Sequence, residues 1–154
     1  MKIVLAQINT TVGDLAGNEA LIQAAYGRGV DVGADLVVVP ELAVTGYPPR
    51  DLLLKSGFIE NNLEVVKQLA TGVGETGLLV GCVGLNEGQP GRAATNSAAL
   101  LHEGRMMAAR TKTLLPTYDV FDEDRYFEPA SGNFPVEFKG HKLGLTICED
   151  AWND

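Results

Sequence analysis

Apolar runs alternate along the chain with clusters of turn-forming residues, and the runs carry two different spacings. Lys2 to Asn9 opens with Ile3-Val4-Leu5-Ala6 and predicts a buried strand at the start. Thr10 to Asn18 contains Gly13, Asp14 and Gly17 and predicts a loop. Asn18 then caps a helix running to about Val30, with Leu21, Ile22, Ala24 and Ala25 spaced for one buried face. Gly33 ends that unit. Asp35 to Val39 is almost continuously apolar, as expected of a strand covered on both faces. A strand, a helix and a second strand in that order imply a parallel pair joined by a crossover helix.

Pro40-Glu41 follows directly on this strand. The loop to Arg50 holds Gly46-Tyr47-Pro48-Pro49, too rich in proline for a regular element. Asp51 to Ser56 predicts a short helix and Phe58 to about Ala70 a longer one. Leu78 to Leu85 predicts another buried strand, Asn86 to Ala93 a loop, and Thr95 to Leu101 with Arg105 to Ala109 two strands joined at His102-Glu103-Gly104. Thr111 to Pro135 has little periodicity; a segment of that length in a compact domain is usually functional or disordered, and its aromatic residues argue for function. Val136 to Phe138 and Lys142 to Ile147 predict a final hairpin around Lys139-Gly140-His141. No repeat, low-complexity tract or linker interrupts the chain, so residues 1–154 read as one domain.

Composition narrows the function classes. At 154 residues the chain can bury roughly 68–70% of its unfolded surface. Twelve basic against twenty acidic residues, a net charge of −8, argue against nucleic-acid binding and against anionic membrane surfaces. No apolar run approaches the ~20 residues of a membrane span. The N-terminal run is too short and too soon interrupted for a signal peptide, so the cytosol is the expected address. Cys82 and Cys148 show no C-x-x-C spacing and have only His102 and His141 as helpers, which predicts neither a metal site nor a disulfide framework. Cytosolic thiols stay reduced, which suits a nucleophile.

Three reactive residues follow predicted strands or lie in the long irregular segment: Glu41, Lys112 and Cys148. Strand C-termini in α/β proteins converge on a crevice where ligands bind. Taken singly, each has an ordinary reading: a core cysteine, a loop acid, a solvated lysine. Cys82 lies mid-strand without charged neighbours and reads as structural. His102 and His141 fall in predicted turns and read as solvated, and Trp152 as packing beneath the turn after Cys148.

The residues around the three change this picture. Val37-Val38-Val39-Pro40-Glu41-Leu42, Lys112-Thr113-Leu114-Leu115-Pro116 and Ile147-Cys148-Glu149-Asp150-Ala151-Trp152 resemble, in order, the three motifs of the nitrilase (carbon–nitrogen hydrolase) superfamily. Pro49-Arg50-Asp51-Leu52-Leu53, Tyr118, Val120-Phe121-Asp122-Glu123 and Arg125-Tyr126-Phe127 are similar to the amide-hydrolysing domain of glutamine-dependent NAD synthetases. The resemblance covers essentially the whole chain. It implies an α/β fold, a nitrilase-like α-β-β-α sandwich of which the N-terminal part is present, the chain being truncated at its C-terminus. It implies Cys148 as nucleophile, Glu41 as general base and Lys112 facing the developing oxyanion. Tyr47, Tyr118 and Phe121 would line the substrate pocket, and a second glutamate near the site would be Glu123, which could equally be a solvated acid beside Asp122, Asp124 and Arg125.

The implied substrate is glutamine, its ammonia passing to deamido-NAD in an absent synthetase domain that binds ATP and Mg; no metal or cofactor is implied in this part. The superfamily also implies a homo-oligomer, and these 154 residues alone are expected to be inactive or nearly so. Two other readings stay open: a free-standing amidase, nitrilase or carbamoylase, and a truncated module kept for assembly only.

Electrostatics fits the implied roles. Burial raises a thiol's pKa, by as much as 3–5 units when complete. An ammonium about 4 Å away at an effective dielectric near 20 returns ~4 kcal/mol, roughly 3 units, in favour of the thiolate. Little surplus remains, and Glu149 and Asp150 push the wrong way. The thiol therefore needs a base as it attacks, and Glu41 is the candidate.

Overall fold

The computed structural model describes residues 1–87 and 90–152. Its centre is a five-stranded sheet in the order β1 (Ile3–Leu5), β2 (Leu36–Val38), β3 (Gly77–Leu85), β4 (Ala94–His102) and β5 (Arg105–Thr111). The first three strands run parallel, and β4 and β5 return antiparallel as a meander. Helices α1 (Leu15–Asp31) and α2 (Phe58–Thr71) make the crossovers. A two-stranded sheet, β6 (Val136–Phe138) with β7 (His141–Leu143), forms the last hairpin.

Alternation along the strands sorts the core into two sides. Val37, Leu78, Val80, Cys82, Ala99 and Leu101 pack against Ile22 of α1 and Val65, Val66 and Leu69 of α2. Leu36 and Leu100, one register step away, point to the opposite face, where Val136 and Phe138 of the hairpin and Leu145 cover them. Burial on both faces explains why β2 and β3 read as unbroken apolar runs. Three layers result: helices, main sheet and hairpin. No helix of the structure is long and apolar enough to cross a membrane.

Several boundaries differ from expectation, each for a local reason. The opening strand spans only Ile3–Leu5 and is not buried: β2 pairs with one of its edges, and Leu5 is 79% exposed. The cap of α1 is Asp14, whose carboxylate accepts from the Gly17 amide at 2.9 Å. Asn18 is instead fully buried and tethers the preceding loop, bonding Thr11 N and O at 2.8 Å and Val44 O at 3.0 Å. Arg50–Leu54 is a 3₁₀ turn, not an α-helix. The final strand stops at Leu143, and no strand among the described residues flanks Gly144 to Ile147. Cys148 therefore follows an extended segment and opens a 3₁₀ turn, Cys148–Ala151.

The irregular segment after β5 is fixed in place by backbone hydrogen bonds. Lys112 N donates to Asn96 O at 2.8 Å, Glu123 N to Pro116 O at 3.1 Å and Glu128 N to Ala94 O at 2.8 Å. In the predicted loop from Asn86 to Ala93, Gly88 and Gln89 lie outside the described residues.

Candidate active site

Four short pieces of chain meet at the end of the sheet: the loop after β2, polar positions of β4, the loop after β5 and the segment before Cys148. The first is held by the main sheet itself. Val39 N donates to Leu79 O at 3.1 Å and Val44 N to Gly81 O at 3.2 Å, so the Glu41 loop lies directly on β3. Gly81 is required there, because a Cβ would lie 2.4 Å from both Pro40 O and Leu42 N.

Lys112 is fully buried, and its burial is explained by its partners. Nζ lies 2.8 Å from Glu41 Oε1, and 3.0 and 2.9 Å from the two oxygens of Glu123. Desolvation alone would depress the lysine, but the bonds to Glu41 and Glu123 outweigh it and hold its pKa above the ordinary value. It is an ammonium at neutral pH.

Glu123 is 4% exposed, which excludes the solvated alternative. Besides Lys112 it accepts from the Tyr47 hydroxyl at 2.9 Å and more distantly from Asn96 Nδ2 at 3.3 Å. Burial and the bond to Glu123 push the Tyr47 phenol far up, so it serves as a neutral donor. Two carboxylates thus share one ammonium and two uncharged donors, a cluster carrying one net negative charge. Sequence reasoning missed Asn96; its signal was a polar trio, Thr95-Asn96-Ser97, inside an otherwise apolar strand.

Cys148 is exposed, against the core reading of a lone cysteine, and shares with Glu41 a cleft of about 140 Å³ lined also by Val39, Ser97, Ala98 and Ile147. Its backbone sits at φ +46°, the left-handed region that a side-chain-bearing residue occupies only when its surroundings impose it. Burial first, and then Glu41, push the thiol up, while Lys112 pulls it down; the net direction is upward. Cys82, by contrast, is buried mid-strand, its thiol pushed up to about 12 by desolvation.

Asp150 fixes the nucleophile turn to the lysine loop. Oδ1 accepts from Thr113 N at 2.9 Å, Thr113 Oγ1 at 2.7 Å and Leu114 N at 2.9 Å, while Oδ2 accepts from Ile147 N at 3.1 Å. Partial desolvation raises its pKa, but these bonds outweigh it and hold the carboxyl below the ordinary range. A depressed carboxylate contributes stability above its unfolded value near 3.9, lost as pH falls through the folded value. Asp150→Asn puts an N–H opposite the Ile147 amide and should cost about 1–2 kcal/mol at pH 7 for this half-exposed site. The gap between wild type and variant in urea unfolding should close below about pH 4.

The aromatic expectations divide. Tyr47 and Phe121 stand 6.3 Å apart by ring centroid, and Tyr118 meets Phe121 edge-on at 5.6 Å. Tyr118 is itself 56% exposed, its hydroxyl bonding Glu149 Oε2 at 2.9 Å, so it sits at the rim. Trp152 does not pack beneath the turn; it is 78% exposed. His102 is not solvated: its ring packs edge-on to Phe138 at 5.1 Å, with Nε2 3.1 Å from Glu75 O. His141 is exposed as expected.

Residues 2–154 match the model of the carbon–nitrogen hydrolase family. The chain is 45% identical, over 99% of its own length, to a protein of Synechocystis sp. named glutamine-dependent NAD(+) synthetase, of which it spans 28%. Among solved structures it matches the glutamine-dependent NAD+ synthetase of Acinetobacter baumannii with TM-score 0.89 and 33% identity, covering 97% of this chain and 28% of that one. It also matches a variant of the amidase of Nesterenkonia sp. AN1 at TM-score 0.81 and 26% identity, covering 97% of this chain and 56% of that one; there the acetamide moiety of fluoroacetamide is added covalently at the active-site cysteine.

Proposed function

This chain belongs to the carbon–nitrogen hydrolase family, and we propose that its site hydrolyses the side-chain amide of glutamine through a thioester on Cys148. The observation that carries the reading is the buried Lys112 bonded at 2.8 Å to Glu41, which itself lines the cleft of an exposed cysteine in a left-handed conformation.

Cys148 Sγ attacks the amide carbonyl carbon while the thiol proton passes to Glu41. The carbonyl electron pair moves onto oxygen, where the Lys112 ammonium and the backbone N–H just after Cys148 stabilise it. Collapse of the tetrahedral species expels the nitrogen, which takes the proton from Glu41 and departs as ammonia. Water then gives a proton to Glu41 and attacks the thioester; the sulfur leaves, regains a proton, and glutamate is released. A thiol held above its ordinary pKa stays protonated at neutral pH, which calls for a neighbouring base as it attacks.

The similarity to proteins named glutamine-dependent NAD(+) synthetase supports use of the ammonia in making NAD; delivery to deamido-NAD, with ATP and Mg bound elsewhere in the protein and a cytosolic setting, is part of the same proposal. The likeness to an amidase supports a second reading, hydrolysis of a small free amide.

A glutamine-mimicking electrophile, applied to the full-length gene product and followed by intact mass and peptide mapping, tests the proposal. One adduct at Cys148, blocked by glutamine and lost in Lys112→Ala, is the expected result. Labelling at Cys82, or at both thiols without glutamine protection, would overturn it. Protection by simple aliphatic amides but not glutamine would favour the amidase reading.

A further inference from the structure

Three asparagines are buried completely, and their partners separate two kinds of work. Asn62 satisfies its amide on the backbone of β3, donating to Val83 O at 2.6 Å and accepting from Val83 N at 3.2 Å. Asn18 does the same for Thr11 and Val44. Asn96 bonds no backbone group through its side chain. Its Nδ2 donates to Glu41 Oε1 at 2.6 Å and to Glu123 Oε2 at 3.3 Å, and its Oδ1 has no partner among the described residues. Two carboxylate acceptors fix which end of the amide carries the nitrogen. A buried amide with an unpaired carbonyl is a poor structural choice, since an apolar residue would leave nothing unsatisfied.

Glu41 Oε1 receives both named bonds, one from Asn96 and one from Lys112 at 2.8 Å, while Oε2 receives none among the described residues. We propose that Asn96 is a positioning residue for Glu41: with Lys112 it pins Oε1 and fixes the carboxylate plane, leaving Oε2 as the oxygen that takes the proton from Cys148 and later from water. The inference rests on Glu41 being the base. Lys112 alone would leave the carboxylate free to rotate about its one anchored oxygen; the second donor removes that freedom. Asn96 is itself held by the sheet, paired across to Val83 in β3, so the pin has a rigid base.

The test measures kcat and KM for glutamine and the rate of Cys148 alkylation in full-length Asn96→Leu, Asn96→Ala and Glu41→Gln, and in each Asn96 variant combined with Glu41→Gln. Asn62→Leu serves as the structural comparison. We expect Asn96→Leu to lower kcat about 30- to 100-fold with KM within threefold, and to lower it less than twofold further once Glu41 is glutamine. Asn62→Leu should lower the thermal transition and leave kcat per folded molecule unchanged. Should Asn96→Leu fail to fold, the smaller Asn96→Ala removes the donors without adding a charge. A full additive loss in the Glu41→Gln background, a loss confined to KM, or an unchanged kcat overturns the proposal. Wild-type kcat in Glu41→Gln would instead overturn the base assignment on which it rests.

Discussion

Lys112→Met should destabilise the protein by about 3–4 kcal/mol at pH 7 and abolish amide hydrolysis. Methionine fills much the same volume, so packing is spared; what is lost is the only cation between Glu41 and Glu123. Glu123 is buried and Glu41 only 20% exposed, so without the ammonium the two carboxylates repel, and the folded variant relieves them by binding a proton. A carboxyl whose ordinary value is near 4.3 binds a proton at pH 7 at a cost of ~1.36 kcal/mol per pH unit, or about 3.7 kcal/mol in all. That agrees with the 3–5 kcal/mol typical of breaking a buried pair. The sign follows: between about pH 4.3 and 7 the folded variant holds one more proton than its unfolded chain, so its stability rises as pH falls. Urea unfolding at pH 7 and pH 5 should show the deficit shrinking by about 2 kcal/mol or more. A small, pH-independent deficit would mean that the three charges do not form one buried cluster.

Gly81→Ala is the second substitution with a large expected effect, although Gly81 carries no functional group. Its Cβ would stand 2.4 Å from Pro40 O and Leu42 N and 2.8 Å from Glu41 C. Neither side can yield cheaply, because both are backbone and the loop is bonded to β3 through Val39 and Val44. We expect a loss of about 2–3 kcal/mol and, because the displaced segment carries Glu41, roughly a 100-fold loss in kcat. Gly27→Ala is the contrast: it lies in α1 with no atom within 4 Å of the added carbon, and should gain about 0.5–1 kcal/mol with activity unchanged. Thermal melts and steady-state kinetics on the pair separate the close backbone approach from a general intolerance of glycine replacement.

Where the sequence was legible, one physical cause acted alone. The buried strands were visible because β2, β3 and β4 are apolar on both faces, and Glu41, Lys112 and Cys148 because each stands in a compact run of characteristic neighbours. Misreadings arose where two causes competed for the same residue. Asp14 and Asn18 are both good helix caps, and only the tertiary burial of Asn18 against Val44 decides between them. Leu143 to Ile147 has the composition of a strand, but pairing depends on which partner lies alongside. Glu123 sits amid Asp122, Asp124 and Arg125 and looks solvated, until the 3₁₀ turn directs it alone inward to Lys112. Asn96 showed only as part of a polar trio in a strand, because its role lies in distances to residues 55 positions before it and 27 after.

The cluster's one net negative charge makes the site asymmetric between what enters and what leaves. An amide is neutral and would meet Glu41 at the cleft wall, with the Lys112 ammonium buried behind it. In the proposed reaction the carboxylate made by hydrolysis carries a full negative charge and would lie beside Glu41 at the cleft wall, with Glu123 behind it. Under that reaction the carboxylates that prepare the attack would also repel the product, and accumulated glutamate should be a weak inhibitor in steady-state assays.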